Sequence, residues 1–330
     1  MLDVISALYP DCKLLSGVRN WNPEKALAIN SGVTIQRATK WELIRTKEFS
    51  CHTDTGVYIP KDDWRCLTGC EVNALIGATD DENFATTIQI FQIPVSLLER
   101  GLRSFSPYLD NGLSRADSLG FMAIPKSKTQ SLIDDINRWL RENIISVEAW
   151  HNNGMGVVAR KSGYLSSTGW GGLHVDLWGP TLSKQIQQTY NGLRCVINFS
   201  SEPRRFVFQN LRMATLSRMY PDFLTSRPLS DVVDNVFYSD HWQRLVGDRF
   251  VEEHRNYPII SVLLEPGHGY LAPTTSLFHD GCLSGMTQAD ITVRAGHSGF
   301  TDVNHNTWTP PEFSPEWRKA CLKNSHALVD

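Results

Sequence analysis

The stretch Gly171-Gly172-Leu173-His174-Val175-Asp176-Leu177-Trp178 limits the folds open to this 330-residue chain more than any other. Side chains of a strand alternate between two faces, so Leu173, Val175 and Leu177 gather on one side and His174, Asp176 and Trp178 on the other. The apolar face must be covered by a second layer, and the His-x-Asp face carries polar groups that an interior tolerates only with partners. Segments 193–199, 205–209, 259–265, 270–271 and 290–294 have a similar character, mostly short, rich in Val, Ile, Phe and Thr, and bounded by Gly, Pro or Ser. One more, 87–93, stands earlier in the chain.

Helical patterning precedes and interrupts these strands. Residues 127–142 predict a helix, with Ser127 and Gln130 spaced as a capping box and Leu132, Ile133, Ile136, Trp139 and Leu140 on one stripe. A second helical region, about 229–253, carries Val232, Val233, Val236, Phe237 and Trp242 among charged residues. Strands clustered in the second half, with helices before them and one helical interruption, predict a mainly β fold with helical additions, a sandwich or jelly roll. Regular strand-helix alternation, which a doubly wound α/β fold needs, is missing. Without repeats or Gly/Ser linkers, the chain reads as one catalytic-size domain. Its expected parts are an α/β flank at 1–150, a core at 151–302 with an insertion at about 211–257, and an extension at 303–330.

Bulk properties narrow the function. Hydrophobic residues are 41% and charged residues 20% of the chain, as in ordinary globular proteins. A formal net charge of -3 lacks the basic surplus that phosphate contacts require, so no nucleic-acid partner is expected. The start, with Asp3 and no basic region ahead of a short apolar run, does not read as a signal peptide, and no apolar run approaches the roughly 20 residues that span a bilayer. Seven scattered cysteines fit reduced thiols and a cytoplasmic location. Cys66 and Cys70, the one close pair, lack the second pair of a zinc knuckle.

His174 and Asp176 together offer one nitrogen and one carboxylate oxygen on one strand face, two of the three protein ligands of a 2-His-1-carboxylate facial triad. The same spacing recurs at His52-Thr53-Asp54, but in a polar, turn-like context without apolar alternation, which predicts a surface role. A third ligand has to come from a distant strand. Downstream runs Glu265-Pro-Gly-His-Gly-Tyr-Leu-Ala-Pro, then His279-Asp280-Gly281, then Asp290-Ile-Thr292-Val-Arg294. In this order of motifs the chain resembles the Fe(II)/2-oxoglutarate-dependent dioxygenase superfamily, whose pattern is His-x-Asp, a long gap, a distal His, and an Arg ten to fifteen residues later. The matching residues are His174, Asp176, His279 and Arg294, the last lying fifteen residues after His279. The similarity covers about residues 171–294; the gap of 105 between the two histidines has room for the helical interruption.

The resemblance implies a double-stranded β-helix (jelly-roll, cupin-like) core, with Fe(II) held by His174, Asp176 and His279. It implies 2-oxoglutarate and O2 as co-substrates, and release of succinate and CO2. Arg294 would hold the remote carboxylate of 2-oxoglutarate through a bidentate charge-assisted pair, and Thr292, on the same strand face, would bond that carboxylate too. Asp176 favours hydroxylation, desaturation or ring formation, because members that halogenate have a small residue there. The substrate expected is a small metabolite, an amino acid or amino-acid-derived natural product.

Other assignments rest on position alone. Arg194 and Asn198 share a face with Val196 and are candidates for lining the cofactor pocket; Trp178 shares the ligand face and is a candidate wall. Arg204 and Arg205 could recognise a substrate carboxylate, although an exposed turn is a common place for such a pair. His268 is an alternative to His279 as distal ligand, while His241, His254 and His297 are expected to be solvated or packed. Two other functions use the same features: a jelly roll that binds metal or sugar without redox chemistry, and a zinc hydrolase with these three ligands. No GxSxG, HExxH, GxxxxGK[ST] or GxGxxG pattern occurs.

Overall fold

The computed structural model describes residues 11–37, 52–53, 56–77, 87–111, 121–124, 126–144, 156–160, 170–175, 190–212, 216, 247–274, 277–283 and 285–301. The strands are β1 Lys13–Ser16, β2 Leu27–Ile29, β3 Val33–Arg37, β4 His52–Thr53, β5 Gly56–Pro60, β6 Arg65–Cys66, β7 Thr87–Gln92 and β8 Phe121–Ile124. They continue with β9 Gly156–Arg160, β10 Tyr190–Asn198, β11 Arg204–Arg212, β12 Ile260–Leu264, β13 His268–Ala272, β14 Leu277–Cys282 and β15 Asp290–Thr301. The helices are α1 Pro23–Ala26, α2 Gly69–Leu75, α3 Val95–Asn111 and α4 Lys126–Asn143, with a further helical turn at 247–253.

Among the described residues, one sheet has the order β1-β7-β13-β10-β15-β9-β8 and a second has β14-β11-β12-β2-β6. A bridge joins His174 to His279 and so adds the 174 segment to the free side of β14. From β9 onward the antiparallel pairs are nested. β11 pairs with β12, β10 with β13, the 174 segment with β14, and β9 with β15. Each partner lies at the same rank on either side of the β11–β12 connection, and apart from β11 and β12, which pair with each other, successive strands step from one sheet to the other. A long antiparallel hairpin wound twice produces this order, which is a double-stranded β-helix. Strands β1, β7, β2 and β6, from the first hundred residues, extend both sheets. Strands β3, β5 and β4 make a separate three-stranded sheet.

Period-two alternation decides what fills the sandwich. Val196, Tyr270 and Ala272 of the first sheet meet Phe206, Phe208, Val262 and Leu264 of the second, and the Phe206 and Tyr270 rings stack at 4.0 Å. Such ring pairs add about 0.5–1.5 kcal/mol beyond their area burial. The outward residues of β10 and β15, among them Leu193, Ile197 and Val293, are covered by Phe105 of α3 and by Leu132, Ile136 and Leu140 of α4. α3 comes close because Gly101 faces the Phe199 ring, where a Cβ would overlap it. The outward residues of β11 and β14, Val207 and Phe278, pack with Leu173, Val175 and Phe250. Of the predicted apolar face, Leu173 and Val175 are therefore buried on the outside of the second sheet, while Leu177 lies outside the described residues.

Some expectations change. α4 starts at Lys126, so Ser127 lies inside the first turn, and Gln130 donates to Asp134 Oδ1 at 2.8 Å instead of completing a capping box. β14, with the uneven pattern Leu-Phe-His-Asp-Gly-Cys, was not predicted as a strand. His52 and Thr53 are paired as β4 rather than forming a turn, while Asp54 lies outside the described residues. Of the region 229–253, residues 247–253 are helical and the rest is outside the described residues, as are 302–330. Among the described residues no helix is long and apolar enough to cross a membrane.

A capping box does form at α2. Thr68 Oγ1 accepts from Glu71 N–H, Glu71 accepts from Thr68 N–H at 2.7 Å, and Arg65 grips both Glu71 oxygens at 2.6 and 2.8 Å. These bonds, the Arg65 pair foremost, hold the buried Glu71 carboxyl at about 2, against an ordinary 4.5. A lowered carboxylate pKa stabilises the fold above the ordinary value, and that contribution is lost as pH falls from about 4.5 towards 2. Glu71→Gln is therefore expected to lower the melting temperature at pH 7 by a few degrees, with the gap to wild type closing across that acid range; a gap independent of pH would contradict this.

Candidate metal site and anion pocket

His279 comes from β14 and faces inward, because its partner in register is Phe208, an inner-face residue. His174 is bound to it through both main-chain hydrogen bonds, His174 N–H to His279 O at 3.0 Å and His279 N–H to His174 O at 2.9 Å. The two imidazoles lie with centroids 4.5 Å apart and planes inclined by 45°, and Phe206 stands 6.0 Å from His279. His174 Nδ1 is 2.8 Å from Gly172 O, and His279 Nδ1 is 3.0 Å from Leu277 O. A carbonyl can only accept, so each Nδ1 carries the proton, and in the neutral ring Nε2 is the nitrogen with the lone pair. Two imidazoles oriented this way by carbonyls match the arrangement in which histidines ligate metal.

Asp280 follows His279 and points to the other face of β14. Its Oδ2 accepts from the N–H groups of Gly171 and Gly172, both at 2.9 Å, and its Oδ1 from Gly281 N–H at 2.8 Å. Burial pushes this carboxyl up to about 6, against the opposing pull of the His174 imidazole and the three N–H donors.

Across the sandwich, β15 and β10 supply the facing wall. Arg294 lies opposite Val196 and Thr292 opposite Asn198, and Val196 lies opposite Tyr270 on its other side. Tyr270, Val196, Arg294 and Thr292 thus share the inner face. Arg294 Nε donates to Thr292 Oγ1 at 2.9 Å, which fixes the plane of the guanidinium, and Thr292 is fully buried. Arg194 shares this face, opposite Ala272.

The structure separates the other expected site residues. Asn198 is fully buried, and its amide ties the β10–β11 turn to the end of β12, donating to Glu202 O and Leu264 O and accepting from Ser200 N–H. These bonds commit the amide to holding that turn. Arg205 is on the outer face, opposite Cys282, and donates to Ser261 Oγ at 3.2 Å, so strand alternation removes it from the interior. Arg204 points inward but is no exposed turn residue: it is buried, with Nη1 at 3.3 Å from Asp290 Oδ1, and it lies over Gly281. His268 opens β13 opposite Gln92, in the other sheet, where it does not pair with the 174 segment; the bridge singles out His279 as the partner of His174. His254 packs its ring, tilted by 37°, against Phe250 at 4.9 Å, beside the cluster outside the second sheet. Asp176, Trp178 and His241 lie outside the described residues. Among the described residues no group of three or more His, Cys, Asp or Glu side chains gathers. Sequence reasoning missed Asp280, Phe206 and Tyr270; the inward parity of Tyr270 with Ala272 and of Phe206 with Phe208 was a usable signal.

No protein-family model matches the chain, and no curated protein matches it. Among solved structures, the chain is similar to the Kdo hydroxylase KdoO, a non-heme Fe(II) α-ketoglutarate-dependent dioxygenase. With the complex holding α-ketoglutarate and Fe(III) it shares 15% identity and a TM-score of 0.41, covering 74% of this chain and 86% of that chain. With the cobalt(II) complex the values are 14% and 0.40 over the same shares of 74% and 86%.

Proposed function

We propose that this chain is an Fe(II)- and 2-oxoglutarate-dependent oxygenase acting on a small molecule. The observation that carries the reading is the direct bridge between His174 and His279 inside a double-stranded β-helix, with both Nδ1 atoms held by carbonyls. Two imidazole nitrogens suit Fe(II), and Asp176, two residues from His174 in the His-x-Asp motif, is the proposed third ligand. With 2-oxoglutarate and O2 bound, such a centre supplies oxidative decarboxylation to succinate and CO2 coupled to oxidation of a C–H bond.

The chain's own residues do the positioning. Arg294, with its plane set by Thr292, pairs with the remote carboxylate of 2-oxoglutarate, and Thr292 lends its hydroxyl to the same end. The stacked Phe206 and Tyr270 keep the floor dry, which strengthens that pairing. Arg194 is proposed to extend the cationic wall. The proposed substrate is an amino acid or amino-acid-derived metabolite, oxidised by hydroxylation, desaturation or ring closure in the cytoplasm. The proposed unit is one catalytic domain with residues 1–150 as its flank.

The test is succinate release from 2-oxoglutarate in a metabolite screen that holds amino acids and, as the contrasting class, sugar acids. Release that requires both Fe(II) and O2 supports the oxygenase; turnover retained with Zn(II) and no O2 would replace it with a hydrolase. His174→Ala and His279→Ala are each expected to abolish succinate release and to weaken Fe(II) binding at least a hundred-fold, with the circular dichroism of the fold retained. Full activity in His279→Ala would end the reading. Arg294→Ala is expected to raise KM for 2-oxoglutarate roughly ten- to a hundred-fold, as loss of a charge-assisted pair does, with a smaller effect on kcat. An unchanged KM would remove Arg294 from this role.

A further inference from the structure

We infer that Asp280 is the positioning residue that aims the His174 imidazole, by taking the place of one rung of the sheet. The inference rests on the proposed metal-binding role of His174 and His279.

In an antiparallel pair the rungs with two main-chain hydrogen bonds recur every second residue. His174 and His279 form such a rung, so the next one would join Gly172 to Gly281. It is absent, and the bridge is isolated. In its place stands the Asp280 carboxylate. One oxygen accepts from Gly172 N–H and Gly171 N–H, and the other accepts from Gly281 N–H, so the donors of the missing rung are satisfied by a side chain. Gly172 takes a φ of 100°, open to glycine at little cost, and its carbonyl leaves the ladder. That released carbonyl is the one that receives the His174 Nδ1 proton at 2.8 Å. Had the ladder continued, Gly172 O would accept from Gly281 N–H. The carboxylate thus turns a sheet hydrogen bond into a constraint on an imidazole. His279 needs no such device, because its own Nδ1 reaches Leu277 O within the strand.

Asp280→Asn is the discriminating variant, since it keeps the shape but sets an NH2 group against N–H donors. The measurements are the nitrogen-detected tautomers of the histidines in the apo protein and the affinity for Co(II), used as the probe. In wild type both His174 and His279 are expected as Nδ1–H tautomers. In Asp280→Asn, His174 is expected to lose that preference while His279 keeps it, and Co(II) affinity is expected to fall about ten- to a hundred-fold, the effect typical of losing an outer partner of a ligand. A folded Asp280→Asn protein with both tautomers and the Co(II) affinity unchanged would overturn the inference. If the variant does not fold, hydrogen exchange in wild type decides: Gly171 and Gly172 amides held by the carboxylate exchange far more slowly than open loop amides, and fast exchange refutes the clamp. Wild type that binds no Co(II), or a His279→Ala variant that binds it as wild type does, would instead count against the proposed function and leave the tautomer result to judge Asp280.

Discussion

The pair of main-chain hydrogen bonds between His174 and His279 is the constraint on which the site depends. It brings together two residues separated by 105 positions in the chain, and the nested strand order is what allows it here. Because a rung places both side chains on the same face of the sheet, the two imidazoles are delivered side by side without a loop to carry them. Rigid strands hold ligands more closely than loops do, and here each ring is also tied by a carbonyl two residues upstream. The same alternation puts Leu173, Val175 and Phe278 into the outer cluster, so the packing that stabilises the second sheet also fixes the direction of the histidines.

The interior of the sandwich is not uniformly apolar. Arg204 and Asp290 sit in it as an ion pair, their side chains 3% and 1% exposed, while Arg204 Nε and Asp290 Oδ2 make no hydrogen bond. Removing two charges from water costs several kcal/mol per ion, and attraction recovers this only when the remaining donors and acceptors are satisfied. The pair is therefore a poor source of stability. Its effect is on charge and register: Asp290 offsets one of the cations that point inward, and the contact links β11 of one sheet to β15 of the other. Gly281 is part of that arrangement, since a Cβ there would stand 2.9 Å from Arg204 Nη2. The strand that carries His279 thus gives up a side chain to make room for the arginine.

Much of this was legible beforehand, for reasons that differ by residue. The strand spacing of His174, Thr292 and Arg294 could be read because period two is a property of the backbone, and the tall apolar residues between them mark the covered face. Arg204 and Arg205 are adjacent, so alternation had to send them to opposite sides, but which one faced inward depended on Phe206 and Phe208, whose burial belongs to the tertiary structure. Asn198 has the parity of a pocket residue, yet its amide is drawn to Glu202 O and Leu264 O, a partner 66 residues away that no local pattern announces. β14 was illegible because its two faces carry Phe, Asp and Cys against Leu, His and Gly. Neither face alternates in hydrophobicity, since one packs around a carboxylate and the other leaves space for a ring and a guanidinium.

The Gly171-Gly172 pair shows how a local signal acquires meaning only from a distant partner. Two glycines before a strand read as a turn, and a turn alone would explain them. With Asp280 beside them they acquire a second requirement, because two consecutive N–H groups must converge on a single carboxylate oxygen while the carbonyl of the second points back toward the His174 ring. A residue with a side chain at 172 would be strained at φ 100°, and relief of that strain would return its carbonyl to the ladder. Glycine at this point is thus a condition for imidazole orientation as well as for chain reversal, and the carboxylate 108 residues later is what makes it so.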